Sequence, residues 1–328
     1  MGIQIAKFIR TALFAIVALA AASPAWSQNA DTILVNGKIL TVDSQFSTRE
    51  AIAIRDGKIT AVGSNSDVRK QAGPQTRVID LQGRTVIPGF IDSHIHAIRA
   101  GQTFTSEVNW VGATSITEAM SRIHEASLAK KPGSWLIVAG GWHAEQFKEK
   151  RRPTQADLVG AAPDNPVYVQ QDYDWEVMTP AGFKAMGING DADLPRPGRL
   201  ERDASGNPTG AIEDGGGFGV AIALFDKLPH PTFDEQVEGT KKFFSEMNRL
   251  GVTGVADPGG NNLNPENYQP VFKVWRQHQL TVRIAYSLCG LTPGKEFEEL
   301  QSLTQMLPQG FGDDMLKLTA SASASPGP

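Results

Sequence analysis

Two histidines one residue apart, His94 and His96, close the run Pro88-Gly89-Phe90-Ile91-Asp92-Ser93-His94-Ile95-His96. On a β-strand successive side chains alternate faces, so residues i and i+2 point the same way. A short apolar strand carried to its end would aim both imidazoles at one point. Two neutral imidazoles on one point are half of a metal site. The spacing alone also suits two histidines that pack or face water. The flanks favour the metal: Pro88-Gly89 punctuates the approach, Phe90 and Ile91 are apolar, and Asp92 can steady a ligand histidine from behind.

Other residues with chemistry stand at the ends of predicted strands. Lys317 lies between Leu316 and Leu318, His143 follows Gly141-Trp142, Asp174 follows Gln171-Asp172-Tyr173, and Asp257 precedes Pro258-Gly259-Gly260. His143 is a candidate to touch a substrate or a plain loop histidine. Asp257 is a candidate to line a pocket or to cap the following helix. Glu213 is explained as well by hairpin support as by function, and His124, His230 and His278 read as surface or packing residues. Cys289 is the only cysteine, so no internal disulfide forms, and its apolar surroundings predict a core thiol.

These residues need a frame. Residues 31–87 read as β, with short runs at 33–35, 37–42, 51–55 and 58–62 broken at Asn36-Gly37 and Asp56-Gly57. Asp-Gly between apolar runs is a strong hairpin signal. From residue 86 strand and helix patterns alternate, the mark of βα units on a parallel sheet. Predicted strands are 86–92, 135–139, 167–171, 252–257, 282–288 and 315–318; predicted helices are 115–128, 233–250, 267–278 and 295–306. Thr232 and Glu235 form a capping box. Residues 175–230, rich in Gly, Pro and Asp, read as an insertion over the mouth of the sheet.

The 328 residues carry a net charge of −4 with both signs interspersed, which leaves no basic footprint for nucleic acid. Residues 1–27 read as a signal peptide: Lys7 and Arg10, then an uncharged apolar stretch at 11–22 too short to span a bilayer, then Ala25-Trp26-Ser27 as the cleavage site. The mature chain, expected to start at Gln28, would be periplasmic or secreted and would keep no membrane span. Residues 320–328 contain only Ala, Ser, Gly and Pro and read as a disordered tail.

The histidine motif resembles the first barrel strand of the amidohydrolase superfamily. Asn36-Gly37-Lys38-Ile39-Leu40-Thr41 and Arg55-Asp56-Gly57-Lys58-Ile59-Thr60-Ala61-Val62-Gly63 are similar to its N-terminal hairpin strands, and 80–90 to its lead-in to the barrel. Gly140-Gly141-Trp142, Pro153-Thr154, Pro163-Asp164-Asn165-Pro166-Val167 and 202–210 resemble the branch called amidohydrolase family 3, the YtcJ-like and N-substituted formamide deformylase-like proteins. Relatives continue past Thr319, so a frameshift near codon 319 is the expectation for the tail, with a natural short tail as the alternative.

The resemblance implies an α/β fold: an incomplete TIM-like (β/α)8 metal-dependent hydrolase barrel over 88–319, beside a small N-terminal β-sandwich half over 28–87. It implies one or two divalent metal ions, zinc by default, with His94 and His96 as the first ligands. Lys317 would be a bridging carbamate, or else a strand lysine facing solvent. It further implies a small-molecule substrate whose non-peptide C–N bond, of amide or formamide type, is hydrolysed. His143, Asp174 and Asp257 are the pocket candidates, although a Gly-His pair that relatives often carry near Asp174 is absent. The general-base aspartate and two further histidines would lie beyond the last residue. The alternative is therefore a truncated, catalytically inactive amidohydrolase fragment.

Overall fold

The computed structural model describes residues 29–215, 219–259, 263–290, 292 and 294–323; the expected signal peptide lies outside them. The chain divides into two units, one ending at Gly89 and one starting at Phe90.

The first unit carries two small sheets. β1 (Thr32–Val35), β4 (Ala51–Arg55), β5 (Lys58–Gly63) and β6 (Arg77–Asp80) pair in the order β5-β4-β1-β6; β2 (Lys38–Leu40), β3 (Thr48–Arg49) and β7 (Thr85–Val86) pair as β3-β2-β7. The β4–β5 hairpin turns at Asp56 and Gly57, with φ of 51° and 72°. Such positive φ at both central residues suits the turn that matches strand twist, and Asp-Gly adopts it at little cost. Ile33, Val35, Ala51, Ala53 and Val68 form the core, Val68 coming from the short helix α1 (Asn65–Arg69).

The second unit holds two larger sheets. β8 (Phe90–Asp92), β14 (Val252–Asp257), β15 (Arg283–Gly290) and β16 (Leu316–Ser323) pair in the order β16-β15-β14-β8, all parallel. Helices α7 (Phe233–Arg249), α8 (Gln269–Arg276) and α9 (Glu296–Met306) precede β14, β15 and β16 in turn. Four parallel strands in chain order, joined through helices, are an arc of a (β/α)8 barrel. The strands alternate: Val255, Ile284, Tyr286, Leu288, Leu316 and Leu318 are buried against Val237, Phe244 and Met247 of α7 and Val271, Phe272 and Val274 of α8. The α7 residues recur at the helical period, which lays one apolar stripe on the sheet. The helix starts at the expected capping box, where Thr232 N–H donates to Glu235 Oε2 at 2.7 Å.

Three expectations are corrected. First, 135–139 and 167–171 are not barrel strands. As β9 (Leu136–Val138) and β10 (Val167–Gln171) they join β11 (Trp175–Met178), β12 (Arg199–Arg202) and β13 (Pro208–Glu213) in a separate sheet ordered β12-β13-β11-β10-β9. Only β9–β10 is parallel there; the other pairs are antiparallel. The excursion from the arc thus runs from the end of α2 (Ala97–Thr103) to the start of α7, well beyond 175–230. An apolar run shows that a strand is buried, and β10 is buried throughout, but not which sheet buries it. Second, 86–92 is two strands, β7 and β8, because Pro88 between them has no N–H for a ladder. Third, 320–323, expected in the disordered tail, extend β16, with Ala320 to Ser323 in register with Ser287 to Gly290. A backbone ladder needs N–H and C=O groups, not large side chains.

The excursion has its own core. Helices α3 (Ile116–Ala129) and α4 (Gln155–Ala161) bury Ile116, Ala119, Ile123, Leu158 and Ala161 with Leu136, Val138, Val167 and Val169. Trp110, Trp142 and Phe147 cluster there, their ring centroids 5.0–6.0 Å apart. On the other side Tyr168, Met178 and Ile212 pack with Phe183 and Met186 of α5 (Pro180–Met186) and with Val220 and Leu224 of α6 (Gly219–Phe225).

Candidate metal half-site

β8 ends at Asp92, so His94 and His96 sit in the turn that leads into α2 rather than on the strand. The alternation argument therefore fails in its premise, yet the imidazoles still meet. Their centroids are 5.6 Å apart and their planes stand at 85°. The turn is pinned at two points: Asp92 Oδ1 accepts the backbone N–H of His94 at 3.0 Å, and Ile95 N–H donates to the Ala256 carbonyl at 3.1 Å. Asp92 thus steadies the turn through the backbone of His94.

His94 is exposed and His96 half-buried. The Nδ1 of His96 is buried without a hydrogen-bond partner among the described residues. A buried imidazole nitrogen without a partner costs free energy unless a ligand takes it. Burial lowers the His96 pKa below the ordinary imidazole range, and the Asp257 carboxylate opposes that shift. A neutral imidazole with a free nitrogen is the form that ligates a metal.

Asp257 ends β14 and is 1% exposed. Its Oδ2 accepts Ile98 N–H at 2.8 Å and its Oδ1 accepts Gly259 N–H at 2.9 Å. It therefore caps α2, not the helix that follows it, and it does not open onto solvent. Burial raises its pKa, with those amides and His96 working against the rise.

Lys317 is exposed between buried Leu316 and Leu318, on the face of the arc opposite the helices. Register pairs it with Ala285, and Ala285 with Ala256, the residue that holds Ile95. Lys317 is thus level with the histidine turn, two strand spacings or about 10 Å along the sheet from β14. Among the described residues, no three of His, Cys, Asp and Glu are grouped to hold a metal ion. What stands is a pair of histidines, a candidate half-site, with a lysine at its level across the arc.

The remaining candidates lie elsewhere. His143 is exposed and caps a 3-10 turn, its Nδ1 accepting Glu145 N–H at 3.3 Å. Asp174 is an exposed turn residue between β10 and β11, 3.8 Å from Arg152. Glu213 pairs with Arg199 at 2.6 Å across the β12–β13 hairpin. Cys289 is half-buried, with its Sγ 3.5 Å from the Pro258 carbonyl.

Two buried acids escaped the sequence reading. Glu176 on β11 and Asp214 after β13 are both 0% exposed. Neither oxygen of Glu176, nor Oδ1 of Asp214, has a hydrogen-bond partner among the described residues. Burial first, then the Asp214 and Asp174 carboxylates, push Glu176 up to about 8. The signal was available: Glu176 interrupts the apolar run Trp175-Glu176-Val177-Met178.

Arc and turn together give an α/β protein with two histidine rings side by side beyond the C-terminal end of the first strand of its arc. Residues 77–325 match the model of the amidohydrolase family. The chain is 28% identical over 279 residues to an N-substituted formamide deformylase of Arthrobacter pascens, covering 84% of this chain and 50% of that protein. It is 31% identical over 180 residues to the putative amidohydrolase YtcJ of Bacillus subtilis, covering 54% of this chain and 34% of that protein. An uncharacterized metal-dependent hydrolase from Pyrococcus horikoshii superposes with a TM-score of 0.55 at 21% identity, over 88% of this chain and 53% of its own. The chain belongs to the amidohydrolase family. It spans half or less of the length of these two curated relatives. Among the described residues no helix is long and apolar enough to cross a membrane.

Proposed function

We propose that the protein serves metal-dependent hydrolysis of a non-peptide C–N bond, of amide or formamide type, in a small molecule. The observation that carries this reading is the buried Nδ1 of His96, without a hydrogen-bond partner among the described residues, beside the ring of His94. His94 and His96 would hold a divalent ion, zinc first, and Lys317, level with their turn on β16, would be the third ligand. When bound, such an ion lowers the pKa of a water and polarises a carbonyl. The chain's own part is positional. Asp92 and the Ala256 carbonyl hold the turn, and Asp257 holds the first amides of α2, so both imidazoles stand on fixed backbone. A neutral Lys317 amine that adds carbon dioxide and releases one proton to solvent would become a carbamate, an anionic oxygen donor.

A second reading, a metal-binding chain without turnover, is favoured by the finding that, among the described residues, no three of His, Cys, Asp and Glu are grouped to hold a metal ion. One experiment addresses both. The purified chain is loaded with zinc, dialysed, analysed for metal and assayed with N-formyl and N-acyl amines. Retained metal with metal-dependent release of formate or carboxylate supports hydrolysis. Retained metal without release supports the second reading, and loss of all metal on dialysis defeats both. The basic and apolar residues of 1–22 support export, which N-terminal sequencing of the chain from its native cell would test.

A further inference from the structure

Arg99 lies on α2, one helical turn after His96. Its guanidinium stacks over Phe225 at 4.6 Å from the ring centroid. Among the described residues it makes no hydrogen bond or ion pair. It is half-buried all the same, at the wall of a cavity of ≈ 390 Å³. A guanidinium carries five N–H donors in a planar fork, and taking them from water without partners costs free energy.

The cavity shows what would partner it. Around Arg99 stand the side-chain amides of Gln102, Gln236 and Asn264, with Phe225 and Leu263 as apolar wall. Asp226 is its one carboxylate, exposed at the rim and not ion-paired with Arg99. The volume falls in the range of small-ligand sites. The wall is also stiff, because α2 and α7 meet through glycines: a Cβ on Gly239 would collide with the Gly101 carbonyl, and one on Gly101 would lie 3.1 Å from the Thr240 Cα. Arg99 therefore projects from backbone that cannot easily shift. Burial raises the Glu107 pKa, and Arg99, which is not ion-paired with it among the described residues, works against that rise from a distance.

We propose that this cavity is a carboxylate subsite, with Arg99 as the recognition residue, for a small molecule that joins a carboxylate to a compact apolar body. The planar fork matches a carboxylate in two parallel hydrogen bonds, and the apolar body meets Phe225 and Leu263. Neither His94 nor His96 lines the cavity, although Arg99 follows His96 by one turn of α2; joined to the reading above, the subsite would add a negative charge to the substrate class. It rests on that reading for its link to catalysis, but not for binding.

The test uses the metal-free full chain, with benzoate and its neutral isostere benzamide as probes and binding followed by NMR titration. Benzoate is expected to bind at least ~10-fold more tightly than benzamide, a difference that one charge-assisted contact supplies. Arg99→Gln should abolish that preference, and Arg99→Lys, which keeps the charge but loses the fork, should retain part of it. Equal binding of the two probes by the unaltered chain overturns the proposal without any variant. Unchanged benzoate binding by an Arg99→Gln chain with unaltered circular dichroism overturns it as well. Metal retention is measured separately, so failure of the histidine half-site and failure of the carboxylate subsite give different results.

Discussion

Replacing Glu176 by Gln tests the electrostatics of the five-stranded sheet with a near-isosteric change. Glu176 is wholly buried, its oxygens have no partner among the described residues, and its pKa rises from the ordinary 4.5 to about 8. In the unfolded chain the carboxyl ionises near its ordinary value, while in the folded chain it stays protonated to about 8. Between those values the folded state holds one more proton, so stability falls as pH rises through the window and levels off above it. At about 1.4 kcal/mol per pH unit the full loss is about 5 kcal/mol, with about 3–5 kcal/mol the working range. Asp214 and Asp174, the two acids acting on Glu176, remain in the variant, so the difference between the two proteins isolates Glu176. The assay is urea unfolding at half-unit steps from pH 5 to 9, followed by tryptophan fluorescence, with Trp175 adjacent in sequence and buried. The two proteins should be nearly equal at pH 5, and Glu176→Gln the more stable by several kcal/mol at pH 8.5. A stability difference that does not change with pH would refute the reasoning.

Three further outcomes are expected. Alanine at His96 or at His94 should abolish zinc retention, measured by elemental analysis after dialysis, while circular dichroism stays unchanged because the turn is pinned through the backbone amides of His94 and Ile95. Trp110→Ala should cost about 3–5 kcal/mol by opening a void beside Trp142 and Phe147, whereas Trp110→Phe should cost much less, since the indole N–H it removes has no partner; the two urea midpoints check the order. Asp257→Asn should cost about 1–3 kcal/mol by facing an amide NH2 toward one of the N–H groups of Ile98 and Gly259, and hydrogen exchange at Ile98 should speed up.

What the sequence determined by itself is what depends on near neighbours. The capping box at Thr232 and Glu235, the Asp56-Gly57 hairpin and the α7 stripe of Val237, Phe244 and Met247 each rest on residues a few positions apart. The His94-x-His96 pair was legible for the same reason, and the two rings meet even though they stand in a turn. What only the tertiary structure decided depends on partners far along the chain. The apolar runs of β9 and β10 announce burial but not the sheet that buries them. Asp257 reads as a strand end near a loop, and only the approach of α2, 159 residues away in sequence, makes it that helix's cap. Glu176 becomes a proton-holding acid because the sheet buries it and, second, because the chain after β13 brings the Asp214 carboxylate near it. Arg99, without a hydrogen bond or ion pair among the described residues, lies against Phe225 because the chain brings α6 over α2. Desolvation and charge act over a few ångströms of space, and no short stretch of sequence records which distant residues will fill that space.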